Sequence, residues 1–288
     1  MVDQLNSVAA VGFSPRRALR VSVELRRQLS RPSIRAVLIA TALLPCALAP
    51  SVAKGKFEIS FDAHYLSTVA TKSGANFVVF ALFVGSQLAI TLLVAYVFGE
   101  AISREAQWSY LPVLLTTPVR RGQLLRQKAI ACAVVSVIGL LLFTAVSALI
   151  GFAFFGFGPL QPVSGPYVPL AQMAWRFAAI LGYIACYLSW IASLALLLSA
   201  SARHNPVIAV ASTVALTLLS HLFGGLSTLG GIRGLLPTRN FDAWTVLAAA
   251  HVDGGRLEWG LFLSLFYTTV FGVLTYIVFA ATDIRPRC

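Results

Sequence analysis

Charge is scarce in this chain. Only 11% of its 288 residues are Asp, Glu, Lys or Arg, while 58% are hydrophobic and the mean hydropathy is +0.82. A soluble domain carries about 25% charged residues. A chain this apolar cannot coat a water-soluble particle, which excludes a cytosolic enzyme, a secreted disulfide module and a disordered segment. A polytopic helical membrane protein remains. Six spans of about 20 residues use roughly 120–140 positions, and no soluble stretch is long enough for a second globular domain.

Catalytic signatures are missing as well. The sequence has no HExxH of a zinc protease, no GxSxG nucleophile elbow and no GxxxxGK[ST] phosphate loop. The chain is therefore not expected to be an enzyme, to bind ATP by itself or to hold a cofactor. Cys46, Cys132 and Cys186 stand in apolar runs, where cysteine acts as a small hydrophobe, and no CxxC pair occurs. The four histidines, at 64, 204, 221 and 251, are too scattered for a metal site. The apolar runs are nearly free of ionisable groups. Ion-coupled transporters usually need a buried carboxylate or a broken helix at mid-membrane, and neither is visible.

What charge there is leans one way: 22 Lys and Arg against 10 Asp and Glu, a formal net charge of +12. In a soluble protein this would suggest nucleic acid. Here the basic residues flank apolar runs, so no nucleic-acid partner is expected; the partner is membrane lipid, and the charges retain loops on the cytoplasmic side. Spans are expected at about 34–52, 76–98, 129–155, 170–200, 206–226 and 259–281, the fourth long enough to tilt or to break. With the N-terminus inside, 15 Lys and Arg fall on the inner side and seven on the outer. Both termini are thus expected in the cytoplasm. Residues 1–32 form a cytoplasmic N-terminus, 33–282 a single transmembrane domain and 283–288 a short cytoplasmic tail. The segment 100–128 becomes a cytoplasmic loop. The segment 230–258 becomes an external one, too apolar for a solvated loop and expected as short helices in or dipping into the outer leaflet.

Residues 1–32 lack the apolar core of a signal peptide. Ser14 and Pro15 suit a helix start. Ala18, Val21, Leu25 and Leu29 share one helical face, with Arg20, Glu24, Arg27 and Arg31 opposite. That pattern predicts a basic amphipathic helix at the membrane surface, ended near Pro32. Arg20, Leu25, Arg27 and Leu29 are its marker residues. Within the spans, Ser86, Gln87 and Thr91 on the second, with Tyr183 and Tyr187 at i and i+4 on the fourth, are candidate cavity-lining groups. For any single one of them, helix–helix packing is the plainer role.

The most informative stretch is FGEAISREAQWSYLPVLLTTPVRRGQLLRQKAI, from Phe98 to Ile130. Glu100 and Glu105 open it. An apolar helical patch of Trp108, Leu111, Leu114 and Leu115 follows. Pro118 breaks the helix, and Arg120, Arg121, Arg126 and Lys128 close the loop. Basic residues alone would serve topology. Acids, an apolar helix and a proline turn together suit a short helix presented to a cytoplasmic partner.

The order Leu114-Leu115-x-x-Pro118-Val119-x-Arg121, then Leu124-Leu125-x-x-Lys128, resembles the permease subunits of ABC-2 type transporters. Gln107 and Trp108 stand where those permeases usually have Gly-Thr, and Gln127 stands where a glycine usually precedes the lysine. LALLLSASARHNPVIAVAS is similar to the family's fourth-to-fifth span junction, and LLPTRNFDAW resembles an external element of some members before the last span. The resemblance implies an all-α fold of six transmembrane helices with an N-terminal interfacial helix and short external re-entrant helices. It implies a dimer, with itself or a sister permease, resting on two copies of a separate ATP-binding subunit that holds ATP and Mg. It makes the 100–128 loop the coupling element, through Glu100, Glu105, Trp108, Leu111, Leu115, Pro118 and Arg121. It further implies export of an amphiphilic drug, antibiotic or lipid across a bacterial plasma membrane. The alternative from another class is a membrane scaffold or sensor subunit whose ATPase serves signalling.

Overall fold

The structure, a computed structural model, describes residues 21–55, 61–107, 121–161, 170–202, 205–249 and 254–281. Among them every regular element is a helix. A surface helix α1 (Val21–Leu29) precedes α2 (Pro32–Ala53) and the short α3 (Phe61–Ala70). The second long helix has three parts: α4 (Gly74–Gly85), one π-helical turn (Ser86–Ile90) and α5 (Thr91–Gln107). Then come α6 (Arg121–Phe155), α7 (Leu170–Ser201) and α8 (Pro206–Gly225). Two 3₁₀ segments, Ser227–Leu235 and Pro237–Ala248, lead to α9 (Gly254–Ala281).

Six of these helices are long and apolar enough to cross a membrane. They match the six runs expected from sequence. The fourth, α7, is one continuous helix of 32 residues, so it does not break. Between the first two spans lies α3, which packs on α4. Of the 230–258 segment, the part up to Ala248 folds as the two 3₁₀ pieces, and α9 begins at Gly254.

The second span is the hub. In its most apolar stretch 72% of residues are buried, against 17% in the last span. Its α4 half packs on α6, and its α5 half packs on α7 and α8. Helix α2 lies on α6, and α9 on α7. Close backbone approach makes the α4–α6 crossing possible: a Cβ on Gly74 would come 2.8 Å from the Gly151 backbone. Small residues at such crossings let helices gain dispersion contacts that lipid tails cannot offer.

Each end of the bundle is tied by its own polar groups. At one end Ser73 caps α4 by accepting from the Asn76 N–H at 3.3 Å, while Asn76 accepts from the Gln161 N–H at 3.0 Å. At the other end Asn205 caps α8 by accepting from the N–H groups of Val207 and Ile208, and Pro206 occupies the first turn. A short Asn side chain before proline is a strong helix start.

Candidate functional site

The end of the bundle where α5 stops and α6 begins carries the densest charge. Helix α5 runs on to Gln107 and α6 already starts at Arg121. Glu100 and Glu105 therefore sit on the last turns of a helix and not in a loop. Both are buried. Lys128 Nζ donates to Glu105 Oε1 at 2.5 Å, and Arg27 Nη1 lies 3.1 Å from the same oxygen. Lys128 also lies 3.6 Å from Glu24 Oε1, and Arg27 lies 3.6 Å from Glu24 Oε2. Two acids and two bases thus form a neutral cluster joining α1, α5 and α6. One turn earlier on α5, Arg104 holds Glu100 at 2.6 Å and donates to the Ser33 hydroxyl at 3.1 Å, tying α5 to α2.

Glu105 meets two bases of its own chain. The cause is geometric. On α5, residue 105 faces α6, and Lys128 lies two turns into α6. Glu105 Oε2 keeps no hydrogen-bond partner among the described residues. Breaking a buried pair by removing one member typically costs about 3–5 kcal/mol, because the other charge stays behind. Glu105 is therefore a structural anchor of this end.

Helix α1 is docked on the bundle. Its buried or half-buried positions are Val21, Glu24, Leu25, Gln28 and Leu29. That is a single face at i, i+3, i+4, i+7 and i+8. Leu25 and Leu29 pack against the core. Glu24 shares that face, where the sequence pattern put it opposite, because Lys128 and Arg27 compensate its burial. Gln28, also on this face, donates to Cys132 Sγ at 3.3 Å, a contact whose partners neither residue's place in the sequence identifies. Polar residues on an otherwise apolar α1 face were the available signal. Arg20, Trp108, Leu111, Leu115 and Pro118 lie outside the described residues. Arg121 opens α6, its side chain outside the described set.

The five candidate cavity residues make the following contacts among the described residues. Ser86, Gln87 and Thr91 bracket the π turn. The Ser86 hydroxyl donates to the Leu82 carbonyl, and Thr91 Oγ1 donates to the Ser86 carbonyl at 2.7 Å. The two hydroxyls thus serve backbone groups that the widened turn rearranges. Gln87 alone points outward and is exposed. Tyr183 and Tyr187 are buried on α7. Tyr183 donates to the Asn240 carbonyl at 2.9 Å, and Tyr187 stands edge-on to Phe241 at 5.0 Å and to Trp190 at 6.2 Å. They clamp the second 3₁₀ segment. Arg176 completes that clamp, donating to the carbonyls of Leu247 at 3.2 Å and Ala249 at 2.6 Å. A cation is favourable at a helix C-terminus, where carbonyls lack partners.

A separate cavity of about 440 Å³ opens between α6, α7 and α9, with Val94 and Phe98 of α5 at its back. None of the five candidate residues lines it. Among the described residues no cluster of His, Cys, Asp and Glu could hold a metal ion. No protein-family model and no curated protein matches this chain.

Proposed function

We propose that the chain is the membrane-spanning permease subunit of an ABC-2 type exporter, carrying an amphiphilic substrate outward through a bacterial plasma membrane. A separate ATP-binding subunit, in two copies, supplies ATP and Mg, and a second permease completes the pore. The observation that carries the reading is the position of segment 108–120, which holds the resembling residues Leu114, Leu115, Pro118 and Val119. It follows the end of α5 at Gln107 and precedes the start of α6 at Arg121, about two turns before Lys128. The helices on either side of it are bound to each other and to α1 through the Glu105, Lys128 and Arg27 contacts. A push on this segment is thereby delivered to three elements at once. Closure of a nucleotide-bound dimer beneath the permease would bias two packings of the spans, as a two-state element requires.

Gln87 supports a second permease. It lies about 20 Å into its span at 1.5 Å per residue, on the outer surface of the chain, with no side-chain partner among the described residues. A primary amide left in hydrocarbon costs several kcal/mol. A neighbouring subunit or a substrate in the shared pore would cover it.

The test is genetic and biochemical. The neighbouring reading frame should encode a protein with a phosphate loop, and the two should co-purify. The pair should hydrolyse ATP, and the chain alone should not. Transport by the chain alone, driven by an ion gradient, would contradict the proposal.

A further inference from the structure

The cavity between α6, α7 and α9 is a groove open to the side of the bundle, not an internal void. Ile130 and Val137, which line it, are 42% and 44% exposed. Its walls are apolar side chains for most of its length, and the Ser189 and Thr268 hydroxyls in the wall bond to each other at 2.6 Å. At 440 Å³ it falls within the range of about 300–1,000 Å³ typical of small-molecule sites. Along α6 it runs from Arg126 to Leu140, a rise of about 21 Å at 1.5 Å per residue. One leaflet's share of the hydrocarbon is about 15 Å. An acyl chain therefore fits along it.

Two features shape the groove. Gly272 of α9 lines it, and a Cβ added there would meet nothing within 4 Å. Below it, α9 closes on α6, where a Cβ on Gly122 would come 3.1 Å from the Tyr276 ring. Arg126 stands at that closed end, exposed and in no ion pair among the described residues. Nearby Lys128 and Arg104, by contrast, are paired with acids. The groove thus combines an apolar slot longer than one leaflet's hydrocarbon, open to the side of the bundle, with a cation at its end that has no ion pair among the described residues.

We infer that this groove is a binding site for one anionic phospholipid of the leaflet on the Arg126 side, with an acyl chain along α6 and its phosphate at Arg126. Basic pockets between spans hold anionic headgroups in this manner. The inference needs only that the six spans lie in a bilayer, so it stands or falls apart from the permease assignment.

Native mass spectrometry of the purified full chain decides it, with phosphatidylglycerol and phosphatidylcholine of identical acyl chains as probes. Wild type should retain one phosphatidylglycerol in preference to phosphatidylcholine. Arg126→Gln should lower that preference about fivefold, the effect of roughly one interfacial charge. Gly272→Leu, at a position where a Cβ meets nothing within 4 Å, fills the slot and should lose the bound lipid, and Ala133→Leu, on the facing α6 wall, should do the same. Equal retention of the two lipids by wild type would overturn the inference. So would retention of phosphatidylglycerol by both filled variants. Conversion of a dimer to a monomer by the filled variants, with lipid binding unchanged, would assign the groove to a second copy of the chain instead.

Discussion

Lys128 Nζ lies 2.5 Å from Glu105 Oε1, with both side chains almost wholly buried and the two residues 23 positions apart in the chain. The pair closes the base of segment 108–120. Removing Glu105 leaves Lys128 with Glu24 at 3.6 Å, and removing Lys128 leaves Glu105 with Arg27 at 3.1 Å. Glu105→Gln and Lys128→Met should therefore each lower stability by less than the about 3–5 kcal/mol of a fully isolated buried pair. The double variant should be less destabilised than the two losses added together, with a coupling of at least about 1 kcal/mol. Thermal unfolding of the four proteins in detergent measures it. Strict additivity would show that the two residues act independently.

Gly260 is packed against Tyr183: a Cβ there would fall 2.2 Å from the Tyr183 hydroxyl. Gly260→Ala should therefore displace Tyr183 and cost about 1–3 kcal/mol through overpacking. Tyr183→Phe removes the clashing oxygen together with its bond to the Asn240 carbonyl. Combined with Gly260→Ala it should recover part of the loss. An unfolding midpoint for the combined variant below that of Gly260→Ala alone would show that the clash is relieved elsewhere.

Arg176 ties the last carbonyls of the second 3₁₀ segment to α7. Hydrogen bonds from a charged donor contribute about 1.5–3 kcal/mol. Arg176→Met should leave the bundle intact and raise amide exchange selectively over residues 237–249. Exchange spread evenly over α7 and α9 would mean that the arginine supports the whole fold.

Orientation is testable by labelling in a cysteine-free background. The Lys and Arg asymmetry predicts that Ser164→Cys reacts from outside, whereas Ser201→Cys reacts only after permeabilisation. The reverse pattern would place segment 108–120 outside and remove it from any cytoplasmic partner.

The six spans were legible because uninterrupted apolar runs of this length have few other solutions. Asn205 before Pro206 marked a helix start as plainly. Helix α1 was foreseen, but its resting place was not. An amphipathic pattern tells which residues avoid water, and it does not tell whether lipid or protein receives them. Glu105 shows the same limit from the polar side. In sequence it is an acid beside a basic loop, free to meet a partner. In three dimensions α5 extends by two turns and brings it to Lys128. The Tyr183 and Tyr187 stripe was visible as a pattern at i and i+4, yet its destination depends on the 3₁₀ segment folding back over α7. Periodicity within one helix carries no information about that return. The open groove beside Gly272 was not visible at all, since it exists only where α6 and α9 splay above Tyr276.

The central claim is that segment 108–120 couples this chain to a separate ATPase. Trp108→Ala with Leu111→Ala tests it most directly, because both lie in the segment and neither belongs to the buried charge cluster that holds the fold. Aromatic anchors tend to dominate such interfaces. The measurement is co-purification with the ATP-binding subunit, followed by substrate-stimulated ATP hydrolysis of the complex. The account predicts normal membrane insertion with loss of the ATPase from the complex, or hydrolysis that no longer responds to substrate. Retention of both by this variant, with both abolished by substitutions in residues 283–288, would contradict it.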